Sequence, residues 1–87
     1  MRTIWKYSFI ISCSPQQVGI PEDSEYLHVE MQGSNLCLWA LVEPSNKPIK
    51  HDFMVYGTGF PIEDGYEYVG TGLENGLVWH LFEIGGW

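Results

Sequence analysis

An all-β fold, either a small antiparallel β-sandwich or a partly open barrel of about six strands, is what this sequence predicts. Three observations carry that expectation. Apolar residues recur at every second position in short runs, the period of a strand with one wet face. Glycine and proline, ten and five in number, separate those runs. Helix signals are few.

The first run is Ile4 to Cys13. Trp5, Tyr7, Phe9 and Ile11 share one parity and make the better core face. Ser14-Pro15 ends it, because proline lacks a ladder donor. Gln16 to Glu25 is polar and reads as a loop, with at most a short extended piece around Val18 and Ile20. Glu25 to Gln32 alternates again, with Leu27, Val29 and Met31 inward. Gly33-Ser34-Asn35 is a hairpin turn. Leu36 to Val42 is the most continuous apolar run and reads as a central strand buried on both faces.

Glu43 to Pro48 is an exposed loop stiffened by two prolines. Lys50 to Tyr56 is a strand with His51, Phe53 and Val55 on one face. Tyr66 to Thr71 is a short strand, and Gly72 to Gly76 a turn. Leu77 to Glu83 is the last strand, with Leu77, Trp79, Leu81 and Glu83 on one parity. Residues 1–84 are expected to form one β domain, and residues 85–87 a flexible tail.

Eighty-seven residues build only a thin core. A chain of this size buries about 60–65% of its extended surface, so a partner or self-association helps it. Four Trp, five Tyr and four Phe supply large areas and argue against disorder. These aromatics either fill the two-layer core or anchor a subunit contact or groove.

The net charge is −7. Arg2, Lys6, Lys47 and Lys50 are the only fixed cations, which excludes the basic footprint of direct nucleic-acid binding. An acidic surface suits solubility or docking on a basic protein. No apolar run approaches the ~18 residues of a membrane span. The start of the chain lacks the apolar core of a secretory leader, so an address inside a cell is expected. Cys13 and Cys37 lack metal-ligand spacing and read as two buried free thiols.

The most informative segment is Tyr56-Gly57-Thr58-Gly59-Phe60-Pro61-Ile62. It lacks the third glycine and following helix of a dinucleotide fingerprint, and the Lys-Ser/Thr end of a P-loop. Two glycines can still expose consecutive N–H groups as an anion nest. The competing reading is a plain β-turn or bulge. His28, His51 and His80 fall on three separate strands without a close pair, so no metal site is expected. The carboxylates sit mostly in turns, and no nucleophile motif is present. Catalysis is therefore not expected, nor is a cofactor.

Four segments carry a family resemblance: MRTIWKY at residues 1–7, CLWALV at 37–42, YGTGFPI at 56–62 and LVWHLFE at 77–83. In their order and spacing the chain resembles small proteins encoded by bacteriophages and bacterial prophages. Where that pattern often has histidine before the loop's proline, this chain has Phe60. The resemblance implies a phage-encoded antagonist of a host system, working in the cytoplasm of the infected bacterium. In one form it sequesters a small host signalling molecule, such as a nucleotide, in a homo-oligomer. Tyr56, Gly57, Thr58, Gly59, Phe60 and His80 would then form the ligand site, with Arg2 and Lys50 on phosphate. In the alternative form an acidic surface of Glu63, Asp64, Tyr66, Glu67 and Tyr68 inhibits a host defence protein. A minor structural or assembly protein is the third form.

Overall fold

The computed structural model describes residues 1–85, so of the tail expected at 85–87, residues 86 and 87 lie outside the described part. Seven strands are present: β1 (Thr3–Phe9), β2 (Gln16–Pro21), β3 (Glu25–Gln32), β4 (Asn35–Val42), β5 (Pro48–Gly57), β6 (Glu67–Glu74) and β7 (Leu77–Glu83). They form two antiparallel sheets, ordered β1-β4-β3 and β2-β5-β7-β6. The sheets face one another as a sandwich and do not close into a barrel.

Two hairpins follow from turn chemistry. Gly33 (φ 62°) and Ser34 join β3 to β4 with glycine at the first central position. Asn75 (φ 47°) and Gly76 (φ 81°) both take positive φ between β6 and β7, the requirement of a type I′ turn.

The core lies between the two inner faces. Phe9, Val29, Leu36 and Leu38 on one sheet meet Ile20, Phe53, Val55 and Leu81 on the other. Phe9 and Phe53 centre it, their rings 4.9 Å apart and tilted by 56°. β4 is the middle strand of its sheet. Its inner residues Leu36, Leu38, Ala40 and Val42 are buried, and outward-facing Cys37 is buried as well.

Several expectations need correction. The polar stretch from Gln16 is not a loop throughout, because Gln16–Pro21 is a strand. It pairs with β5 as an edge strand, where its glycine and its terminal Pro21 are tolerated. The turn expected from Gly72 onward is confined to Asn75 and Gly76, since β6 runs on to Glu74. Leu27 faces solvent, because a bulge between Tyr26 and His28 shifts the parity and turns Tyr26 inward. Cys13 is exposed beyond the end of β1, and only Cys37 is a buried thiol. Trp5 and Ile11 are likewise more exposed than a core face implies, since Phe9 alone on β1 reaches the sealed centre.

β1 ends in an improvised bridge. The Gln16 side-chain amide donates to Ile10 O and accepts from Ile10 N, each at 2.9 Å. It thereby satisfies backbone groups where Ser14-Pro15 prevents a regular strand pair. This leaves β2 paired with β5 only as far as Gln16–Phe53.

Candidate functional site

The segment after β5 is a tight turn. Phe60 N donates to Gly57 O at 3.2 Å, and Gly59 takes φ 94° at the third position, as a type II turn requires. Gly57 has its own reason. A Cβ there would stand 3.2 Å from the Phe60 ring and 3.3 Å from the Trp79 ring. Both glycines thus serve the turn, and the Phe60 amide is occupied within it. The turn reading is the one this geometry favours over the anion nest.

The consequence is the placement of Phe60. Its ring is 55% exposed and divides two openings. On one side a cleft of about 370 Å³ runs between Ile11–Cys13, Met54–Tyr56, Pro61 and Trp79. On the other a shallower depression of about 240 Å³ includes Thr58, Ile62, Tyr68, His80 and Phe82.

A polar chain crosses that second depression. His80 Nε2 lies 2.9 Å from Thr58 Oγ1, and its Nδ1 lies 3.0 Å from Thr71 Oγ1. Thr71 Oγ1 is in turn 2.5 Å from the Tyr68 hydroxyl. The register explains it: His80 pairs with both Tyr56 and Thr71 across β5-β7-β6. The imidazole is fixed in orientation, with hydroxyls that can each donate or accept. Tyr56 and Tyr68 both pack edge-on against Phe82, at 5.6 and 5.5 Å. Burial, followed by the fields of Tyr66 and Glu63, raises the Tyr56 hydroxyl above its ordinary pKa.

The chain therefore brings Tyr56, Gly57, Thr58, Gly59, Phe60 and His80 together. It does not bring Arg2 or Lys50 to them. Lys50 lies seven residues back along β5, about 23 Å at the usual strand rise, and Arg2 precedes β1 of the other sheet. Within one chain, then, neither Arg2 nor Lys50 stands beside the turn for a phosphate. The acidic alternative is a real surface feature. Glu63, Asp64, Glu67 and Tyr68 are exposed, and Tyr66 is half-buried.

A second cluster escapes the turn-centred reading. Glu83 accepts from the Tyr26 hydroxyl at 2.8 Å and lies 2.5 Å from His51 Nδ1. Burial, then the hydrogen bond to Glu83 and the charges of Glu83 and Glu67, push the Tyr26 hydroxyl far above its ordinary pKa. His51 lines an opening of about 240 Å³ with Tyr26, Ile20 and the Glu22–Ser24 turn. The signal was partly in the sequence, since His51 and Glu83 each sit on an apolar parity of their strands. Tyr26 had no such signal, because the bulge at Leu27 is not written in the alternation.

The three histidines occupy different surfaces. His28 lies on the outer face of β3 beside Glu30, at 3.0 Å. His51 faces inward and His80 outward on the other sheet. Among the described residues no group of three or more His, Cys, Asp or Glu side chains is placed to hold a metal ion. Among them, too, no helix is long and apolar enough to cross a membrane.

Fold and surface together define a small two-sheet antiparallel sandwich whose notable surface is a turn with an aromatic ring between two openings. The chain belongs to the domain of unknown function family DUF7352, whose family model matches residues 1–85. All four segments that carry the phage resemblance lie inside the matched region. No curated protein and no solved structure matches the chain.

Proposed function

We propose that this protein is a non-catalytic, phage-encoded binding protein: a counter-defence factor that sequesters a small host signalling molecule at the surface around Phe60. The observation that carries the reading is the exposed Phe60 ring, held over Gly57 by the turn, with an apolar cleft on one side and the His80 hydroxyl chain on the other. Aromatic surface beside fixed, amphoteric hydrogen-bonding groups is what a small planar ligand needs. The phage resemblance supplies the biological setting, the cytoplasm of the infected host.

Self-association belongs to the proposal. Ile4 and Trp5 are exposed on β1, an edge strand with one free side. A homo-oligomer would cover them and would also bring Arg2 and Lys50 of one chain near the turn of another. Native mass spectrometry of freshly purified protein tests the reading. The expected result is an oligomer carrying a small molecule that heat releases intact. A protein that is monomeric and empty after exposure to infected-cell lysate contradicts it.

The contiguous exposed acids favour one second reading, inhibition of a host defence protein by the Glu63–Tyr68 surface. It expects stoichiometric capture of one host protein, weakened by Glu63→Lys and Asp64→Lys. Capture that ignores both reversals removes this reading.

A further inference from the structure

The strand edge beneath the larger cleft carries a main-chain pair without a strand partner. Ile84 N donates to Asp52 O at 2.8 Å, so Asp52 presents its backbone groups to β7. Glu22 N donates to Lys47 O at 2.9 Å, so Lys47 presents its groups to the opposite side. Backbone groups alternate sides along a strand. Lys47 and, within β5, residues 49, 51, 53 and 55 therefore turn their backbone groups to the β2 side. β2 pairs up to Phe53 and stops at Gln16, and Pro15 has no N–H to continue the ladder. Val55 N–H and C=O consequently point into the cleft beyond the end of β2. Val55 is nearly buried and lines that cleft, and among the described residues it makes no hydrogen bond there.

Buried main-chain donors and acceptors are almost always paired. Here the pair opens on a space of about 370 Å³, within the range of small-molecule sites. Aromatic walls come from Tyr56, Phe60 and Trp79, and no lining side chain is charged. A charged group would lose its hydration without compensation. A flat neutral group with a donor beside an acceptor would meet Val55 as the next strand would have done.

We propose that this cleft binds an uncharged planar heterocycle of the nucleobase type, which pairs its adjacent donor and acceptor with Val55 N–H and C=O and stacks on Phe60. The inference rests on the sequestration reading and deepens it: the base is recognised here, and any phosphate lies outside the cleft.

The test is a titration of ¹⁵N-labelled full-length protein with adenosine, cytidine and uridine. Purine riboside, flat but with only acceptors on the corresponding edge, is the control. At least one of the three is expected to give a saturable shift of the Val55 amide, to slow alkylation of Cys13 at the cleft wall, and to outbind purine riboside. Phe60→Ala, at an exposed position, is expected to keep the folded spectrum and weaken binding about tenfold, the loss of one stacking contact. No saturable Val55 shift with any nucleoside, or equal binding of purine riboside, overturns the assignment. The two readings fail separately. Heat release of a ligand without such a heterocycle would sink this assignment and leave sequestration standing. Nucleoside binding at Val55 by a protein that carries nothing from infected cells would do the reverse.

Discussion

Gly70 of β6 crosses Val29 of β3 so closely that a Cβ on the glycine would collide with Val29 Cγ2 and stand 2.5 Å from Val29 Cβ. Two residues on, a Cβ at Gly72 would stand 2.7 Å from Leu36 Cδ1 and 2.9 Å from the Met31 amide nitrogen. These two contacts draw the sheets together along one side of the sandwich. Gly70→Ala is expected to destabilise by about 1–3 kcal/mol, the usual penalty of overpacking. Gly72→Ala meets backbone, which yields less than a side chain, and is expected to cost at least as much. Gly19→Ala is the control, since its nearest neighbour would be Pro48 Cβ at 3.7 Å. Urea unfolding midpoints check the ranking. A Gly70→Ala variant as stable as Gly19→Ala would refute the close-packing account.

The Tyr26–Glu83 pair predicts alkaline sensitivity. Unfolded tyrosine ionises near pH 10. Folded Tyr26 holds its proton to a higher pH, chiefly through burial and its bond to Glu83. Above about pH 10 the unfolded chain therefore binds fewer protons at this residue than the folded one, and stability falls as pH rises. Below that the contribution is fully present. Tyr7 and Tyr56, also raised by burial, act in the same direction. Thermal midpoints between pH 8 and pH 11 should decline for the parent chain. The Tyr26→Phe variant should decline less steeply, because one linked proton is gone. Equal slopes would mean that Tyr26 ionises as freely folded as unfolded.

The two cysteines should separate by reactivity. Cys13 is exposed, whereas Cys37 is buried on β4 with its sulfur 3.5 Å from Ser8 Oγ. Iodoacetamide at neutral pH is expected to modify Cys13 alone in the folded protein and both in denaturant. Peptide mapping reads the outcome directly. Native modification of Cys37 at a comparable rate would contradict its burial.

Strand β4 and the two hairpin turns were legible, because an apolar run and positive-φ residues each have one cheap structural answer. So was the face of β7 that contains Glu83. Three other features were hidden for physical reasons. β2 looked like a loop because Gly19 and Pro21 are poor strand residues, yet an edge strand accepts them. Gly72 looked like the start of a turn, whereas the position demands glycine for the approach of Met31 and Leu36. The bulge at Leu27 inverted the parity that placed Tyr26 outside. The candidate site divides the same way. Tyr56 to Phe60 is local in sequence, and His80 joins it through strand pairing. Within one chain, the strand register parts Arg2 and Lys50 from the turn, so only a second copy could bring them to it. The open edge at Val55 depends on where β2 stops, which no local pattern records.

The turn itself supplies the sharpest separation between scaffold and contact surface. Gly59 sits at φ 94°, where a Cβ is strained although no atom lies within 4 Å of it. Gly59→Ala should therefore cost about 1–2 kcal/mol through the backbone alone. Gly57→Ala acts through packing instead, against the Phe60 and Trp79 rings, and should displace the exposed Phe60 first. Phe60→Ala removes that exposed ring and should change stability by no more than about 0.5 kcal/mol. If the turn only joins β5 to β6, then Phe60→Ala is silent in every assay and Gly59→Ala acts on stability alone. If the ring is a contact, Phe60→Ala weakens retention of the small molecule, by about tenfold, while its urea midpoint stays at the parent value. Joint measurement of unfolding midpoint and ligand retention on these three variants decides between them.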